Sequence, residues 1–313
     1  MNIKKPFGLI LSTLSTFSIR AYSTRGVLET YSKKWKLSNI EQLSGGLGSG
    51  TVFKCETSIP QKQLAVLKIC HNTLELEYEA NALRVFKGNG CVKLLNFEPG
   101  VLLRGYAPGT PLLNTFPRSD KDSTLITAKL IEKLHHTSCQ SSFNNEKLTL
   151  PSLDDFAIAL KKNSVLSSSI LKRSLDFYYQ LSSNSSQKIV LHGDLHHSNI
   201  IRTNDNEIMS IDPKGVVGDP MYEIAAFIRN PISKIPQTNG INKIIANRIK
   251  IFSQFFNVKE NDLLKWSYFG TILAADWAIS DQQPYEEWLR CANIIDSQII
   301  QLEATGDLSL FDD

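Results

Sequence analysis

Between Ile189 and Asp212, three short apolar runs alternate with polar turns in the middle of a long helical stretch. Ile189-Val190-Leu191 reads as a strand, residues 192–199 as a polar loop and Ile200-Ile201-Arg202 as a second strand. Residues 203–207 supply a turn, and 208–211 return as a third strand with Asp212 at its exit. On either side the spacing predicts helices over 123–138, 153–162 and 169–182, and over 222–229, 241–256, 261–279 and 285–303. A small antiparallel insert in a helical region brings Asp194, Asn199 and Asp212 to one strand end. Three oxygen-bearing side chains that converge in this way are suited to hold a cation against a charged substrate.

Upstream the pattern is different. Leu43-Ser44-Gly45-Gly46-Leu47-Gly48-Ser49-Gly50 runs into the β-branched and aromatic stretch Thr51 to Cys55. A dinucleotide-binding or P-loop glycine run must open a helix, so both nucleotide folds are disfavoured here. After a turn at 58–62 a second strand follows, Leu64 to Cys70, and the glycines are either a flap over phosphates or a plain turn. Residues 74–86 are helical, with Leu76, Glu79, Ala82, Leu83 and Phe86 on one face, so Glu79 points inward while Glu77, Asn81 and Arg84 point to water. Strands at 91–97 and 101–106 end at Ala107-Pro108-Gly109-Thr110-Pro111, where the pattern breaks. A β-rich lobe followed by a helical lobe is an α+β layout. We divide the chain into an extension, 1–34, a β-rich lobe, 35–107, and a helical lobe, 108–313. The 313 residues leave room for two lobes. With 42% apolar and 21% charged residues, disordered and multi-span membrane classes are excluded. A net charge of +3 without a basic patch gives no reason to expect a nucleic-acid partner.

The spacing from Asp194 to Asn199 is the Asp-x-x-x-x-Asn of a kinase catalytic loop, and Asp212 stands where a kinase holds its second metal ligand. His192-Gly193-Asp194-Leu195-His196-His197-Ser198-Asn199, together with Ser210-Ile211-Asp212-Pro213-Lys214-Gly215, resembles the aminoglycoside phosphotransferase superfamily. Within it the chain is most similar to the streptomycin kinase branch, the aminoglycoside/hydroxyurea antibiotic resistance kinases, from about Trp35 to Asn293. The resemblance implies a protein-kinase-like bilobal fold and transfer of the γ-phosphate of ATP, with Mg2+, to an alcohol group of a small molecule of the aminoglycoside type. It implies Asp194 as catalytic base, Asn199 and Asp212 as Mg2+ ligands, Lys68 as the phosphate-binding lysine and Glu79 as its partner. Gly45, Gly46, Gly48, Ser49 and Gly50 become the flap over the nucleotide. The alternatives are a kinase for an unrelated sugar or amino alcohol, and a nucleotide-binding module without turnover. Two departures stand out: Ser198 replaces a glycine before Asn199, and Arg104-Gly105-Tyr106 occupies the expected adenine hinge.

Other residues have plainer readings. Adjacent His196 and His197 lack a third ligand and are structural, His192 orders its loop, and Asp219-Pro220 is an N-cap with proline at N1. Five widely spaced cysteines with no Cys-x-x-Cys pair predict free thiols in a reducing compartment. Residues 1–25, with Lys4, Lys5 and no acid, are open to three readings: a helical extension, a mitochondrial presequence or a secretory signal. The first implies a cytoplasmic protein, and the run is too short to span a bilayer. Residues 250–313 hold eleven acids against four bases. Asp276, Asp281, Glu286 and Glu287 flank Trp277 and Trp288 around a helix–helix turn, an arrangement suited to a cationic acceptor.

Overall fold

The computed structural model describes residues 24–43, 50–59, 61–141, 148–185, 187–238 and 240–308. A helix, α1 (Thr24–Lys34), leads into β1 (Leu37–Gln42), β2 (Gly50–Thr57) and β3 (Gln63–Cys70). Helix α2 (Thr73–Phe86) precedes β4 (Leu94–Glu98) and β5 (Val101–Gly105). The strands form one antiparallel sheet in the order β1-β2-β3-β5-β4. Alternation along β3 sets its two faces. Ala65, Leu67 and Ile69 pack with Trp35, Phe53 and Leu103, and α1 covers them with Val27, Leu28 and Tyr31. Val66 and Lys68 therefore lie on the opposite face, as do their cross-strand partners Arg104 and Leu102. The sequence reading overlooked β1, whose residues after Leu37 are exposed and carry no apolar alternation.

The helical lobe opens with a short edge strand, β6 (Gly109–Pro111), which tolerates Pro111 because its free side faces no partner strand. Helices α3 (Asp120–Gln140), α4 (Leu153–Asn163) and α5 (Ser168–Ser182) follow, then β7 (Ile189–Leu191), β8 (Ile200–Thr203), β9 (Ile208–Ser210) and β10 (Val216–Gly218). Helix α6 (Ile224–Ile228) begins only after a 3-10 turn over Pro220–Glu223, where the sequence spacing predicts one helix over 222–229. The Asp219 side chain accepts from the Met221 N–H at 2.8 Å and Pro220 occupies the first turn, so the predicted cap is present on a tighter helix. Helices α7 (Ile241–Phe256), α8 (Glu260–Ser280) and α9 (Glu286–Thr305) complete the lobe. From Leu263 to Asp276 α8 is buried on every side, the behaviour of a central helix wrapped by α5, α6 and α9. Among the described residues no helix is long and apolar enough to cross a membrane, and no disulfide joins any of the five cysteines.

One expectation about α2 fails in detail. Glu79 is buried and Arg84 exposed as predicted, but Asn81 is buried: its amide donates to the Thr149 carbonyl at 2.9 Å and accepts from Arg84 at 2.6 Å. The helix is clamped between the sheet and the helical lobe, so its apolar stripe marks only one of two buried faces.

Candidate functional site

The cleft face of β3 carries Lys68, whose ammonium lies 2.9 Å from both carboxylate oxygens of Glu79 and 2.9 Å from Asp212 Oδ1. Burial works against that ammonium, yet Glu79 and Asp212 overcome the penalty and hold its pKa above the ordinary value. Arg104 enters from β5: its Nη2 is 2.6 Å from Asp212 Oδ1 and its Nε 3.8 Å from Glu79 Oε1. Two cations and two carboxylates thus share one knot. The side chain expected at the adenine hinge is instead turned inward, because Arg104 pairs with Val66 on the face that carries Lys68. Asp212 adopts a left-handed φ of +58°, a conformation aspartate tolerates better than most residues, at the exit of β9.

The loop after β7 presents Asp194. Burial would raise its pKa, but Lys214 foremost, then His196 and Arg229, hold it down to about 2. Arg229 Nη2 lies 3.6 Å from Oδ1 and His196 Nε2 3.8 Å from Oδ2, beyond hydrogen-bond length, so both carboxylate oxygens keep lone pairs for a substrate. The Asn199 side-chain amide donates to the Asp194 carbonyl at 3.0 Å, and the Asn199 carbonyl accepts from the Ile211 N–H at 2.9 Å, tying the loop to the strand that ends in Asp212. With its NH2 group committed, the free oxygen of Asn199 is the atom left to ligate. Among the described residues no three His, Cys, Asp or Glu side chains cluster as a metal site. One amide oxygen and one carboxylate, completed by phosphate oxygens, fit Mg2+ better than a softer metal.

The backbone of the loop is fixed from below. Gly193 has φ +77°, and a Cβ there would stand 2.9 Å from Val216 Cγ1. His192 is buried with Nε2 on the Ile211 carbonyl at 2.9 Å and Nδ1 accepting from the Asp194 N–H at 3.3 Å; burial pulls its pKa down to about 4, which keeps it neutral. His197 stacks on Phe227 at 4.0 Å, and its Nε2 lies 3.5 Å from Asp120 Oδ1. Ser198 does not have a positive φ, so serine is accepted where a glycine was expected, and its N–H donates to His196 Nδ1.

Three residues of the site escape sequence reasoning. Glu223 is buried and accepts from the His192 and Gly193 N–H groups at 2.7 and 2.8 Å. Fully buried Arg248 donates to Asp120, to the carbonyls of Phe227, Ile228 and Asn230, and reaches His197 Nε2 at 3.2 Å. An arginine flanked by Ile245, Ile249 and Phe252 on an apolar stripe was the available signal. Lys214 lays its ammonium 4.1 Å from the centre of the Trp277 ring.

The predicted acceptor residues separate. Asp276 is buried, whereas Asp281 and Glu286 are exposed at the α8–α9 turn, and Glu287 pairs with Arg290 at 3.4 Å. Trp277 and Trp288 already face cations of the protein itself, Lys214 and Arg229. Gly45, Gly46, Gly48 and Ser49 lie outside the described residues, as do residues 1–23; Gly50 begins β2.

Burial pushes the Glu223 carboxyl up to about 7, against the two N–H donors that favour its charge. A raised folded pKa means stability that is full below pH 4.5 and is lost as pH rises to about 7. The wild-type chain should therefore lose about 3 kcal/mol relative to Glu223→Gln between pH 4 and 8. Denaturant titrations of both proteins across that range test this, and a pH-independent difference would show that folding leaves the Glu223 pKa where it stands in the unfolded chain.

A family model described as aminoglycoside/hydroxyurea antibiotic resistance kinase matches residues 34–282. A streptomycin 3''-kinase of Klebsiella pneumoniae is 31% identical over 93 residues, 29% of this chain and 35% of that protein. A streptomycin 6-kinase of Streptomyces griseus is 23% identical over 92 residues, 29% of this chain and 30% of its own length. The alignments thus span about a third of these curated relatives. Among solved structures, an amicoumacin kinase in complex with AMP-PNP and Ca2+ superposes with a TM-score of 0.67 at 13% identity, covering 88% of this chain and 93% of the other. A choline kinase of Streptococcus pneumoniae gives 0.62 at 15% identity, covering 87% and 98%. At these identities the likeness is one of fold, the protein-kinase-like bilobal arrangement.

Proposed function

We propose that this chain, which belongs to the aminoglycoside/hydroxyurea antibiotic resistance kinase family, transfers the γ-phosphoryl group of ATP to a hydroxyl of a small amine-bearing molecule. The observation that carries the reading is the joining of two half-sites. Asn199 is bonded to both the Asp194 loop and Ile211, so Asp194 and the Lys68–Glu79–Asp212 knot are tied to one loop-and-hairpin frame. On this reading Lys68, held by Glu79, neutralises phosphate oxygens, and the cover over them is assigned, from the sequence resemblance alone, to the glycine-rich run from Gly45 to Gly50. When bound between Asn199, Asp212 and the phosphates, Mg2+ would supply charge neutralisation to the departing diphosphate. Asp194 accepts a hydrogen bond from the acceptor hydroxyl and aims its oxygen at the γ-phosphorus.

In the transfer the acceptor oxygen bonds to phosphorus, the bond from phosphorus to the β,γ-bridging oxygen breaks, and ADP leaves with that electron pair. The hydroxyl proton passes to Asp194. A carboxylate held at about 2 is too weak a base to remove that proton early. It takes the proton late, after phosphorus–oxygen bonding has acidified it, which suits a loose transition state. Arg229 and His196 restrain the carboxylate without occupying its lone pairs.

The test is nucleoside diphosphate release from ATP and Mg2+ with a panel of amino sugars and amino alcohols. Acceptor-dependent release with a phosphorylated product is expected. Nucleotide that fails to bind, or turnover indifferent to every acceptor hydroxyl, would remove the phosphotransferase reading.

A further inference from the structure

We infer that the cleft between α2, α4 and α8 receives the non-reacting end of the acceptor, and that this end is a single ammonium joined to an apolar or aromatic group. The inference rests on the phosphotransferase reading and names the acceptor's class.

Leu74 of α2, Phe156 and Leu160 of α4, and Leu273 and Trp277 of α8 wall this cleft, whose empty volume, open solvent included, is about 520 Å3. It adjoins the catalytic loop through Lys214. The Cβ of Lys214 lies 3.5 Å from where a Cβ on Gly193 would be, and its ammonium covers Trp277. The same ammonium is the strongest of the charges acting on Asp194. Trp277 is thus one side chain removed from the base.

Two carboxylates reach the cleft, and they differ. Asp155 is committed to its helix cap, its Oδ2 accepting from the Ser152 N–H and hydroxyl at 2.8 and 2.7 Å. Asp276 is only 6% exposed, and among the described residues no Lys, Arg or His forms an ion pair with it. Burial raises its pKa, opposed only by a hydrogen bond from Ser164. A carboxylate desolvated without a counter-ion is costly, and an incoming ammonium offsets that cost. The rest of the wall bears almost no polar groups beyond the Tyr78 side chain. A polyhydroxylated sugar would leave most of its hydroxyls unpartnered there, each at a penalty, whereas an alkyl or aryl group would meet Phe156 and Leu273.

The protein's own cations limit the ligand to one charge at this end. Lys214 holds one face of Trp277 and Phe156 meets the ring edge-on at 5.4 Å and 81°. Arg229 similarly covers Trp288 at 5.9 Å. A polycation would meet Lys214 and Arg229 on the way to Asp194, while a lone ammonium is directed to Asp276.

Calorimetry on the full chain, saturated with Mg2+ and a non-hydrolysable ATP analogue, tests this with four probes. They are phenylalaninol, which has ring, amine and hydroxyl; 3-phenylpropan-1-ol, without the amine; 2-aminoethanol, without the ring; and streptomycin. Phenylalaninol should bind about ten-fold or more tightly than either partial analogue. Asp276→Asn should bring it down to the level of 3-phenylpropan-1-ol, and Phe156→Ala to that of 2-aminoethanol. Binding of phenylalaninol no tighter than its partial analogues overturns the inference. So does streptomycin binding more tightly than phenylalaninol. The comparison among probes on the parent chain decides even if a variant folds poorly. Failure of the ATP analogue itself to bind would instead strike the phosphotransferase reading.

Discussion

Replacing Asp194 by alanine should lower the rate of transfer by about 10²- to 10⁴-fold while leaving nucleotide affinity within a few-fold of the parent. The separation follows from the geometry. Asp194 makes no ion pair shorter than 3.6 Å and sits apart from the Lys68–Glu79–Arg104–Asp212 knot, so no phosphate-side contact is lost with its side chain. Asp194→Asn is the sharper form of the experiment, because it keeps the shape and removes only the capacity to take a proton. Rapid-quench measurement of the first turnover, beside a nucleotide titration, gives both quantities. A variant that turns over within a few-fold of the parent would show that Asp194 is not the group that receives the acceptor proton. Weakened nucleotide binding with an unchanged first turnover would place it on the phosphate side.

What was legible in the sequence followed from short-range periodicity. Lys68 belongs to the inward face of a strand and Glu79 to the inward face of the next helix, and two local rules bring them to 2.9 Å. Asp194, Asn199 and Asp212 were legible because a strand–loop–hairpin fixes their spacing before any tertiary contact forms. Arg104, Glu223 and Arg248 were not, since each acts across a long stretch of chain. Arg104 reaches the knot only once β5 pairs with β3, and Glu223 meets the loop only after the 3-10 turn folds under it. The indoles teach the converse lesson. Acids beside tryptophans suggested a seat for a polycation, but composition carries no record of which cation fills an aromatic face. Lys214 and Arg229 are delivered there by the segments after β9 and α6. The position of Asp276 inside, with Asp281 and Glu286 outside, is a matter of where α8 ends.

Asp212→Asn should abolish the benefit of Mg2+ to nucleotide binding, a loss of about 100-fold or more, exceeding what even outer-shell partners of a metal cost. The amide loses the charge that draws a divalent cation to the end of β9. It also disturbs the knot, because Lys68 and Arg104 both grip Asp212 Oδ1, at 2.9 and 2.6 Å. With that charge gone the two cations share Glu79 alone, and the phosphate side of the cleft becomes more positive. Nucleotide without metal should then bind as well as before or better, so the two titration curves, with and without Mg2+, should converge in the variant. Asn199→Ala should move the Mg2+ curve in the same direction without the gain in metal-free binding, since it frees no cation. Glu79→Gln should lower turnover by loosening Lys68, while Glu77→Gln, on the outer side of α2, should leave it alone. Unchanged Mg2+ dependence in Asp212→Asn would mean that its carboxylate serves only to neutralise Lys68 and Arg104. The metal would then have to be held by Asn199 and the phosphates, an arrangement that leaves the left-handed backbone of Asp212 without a purpose at the site.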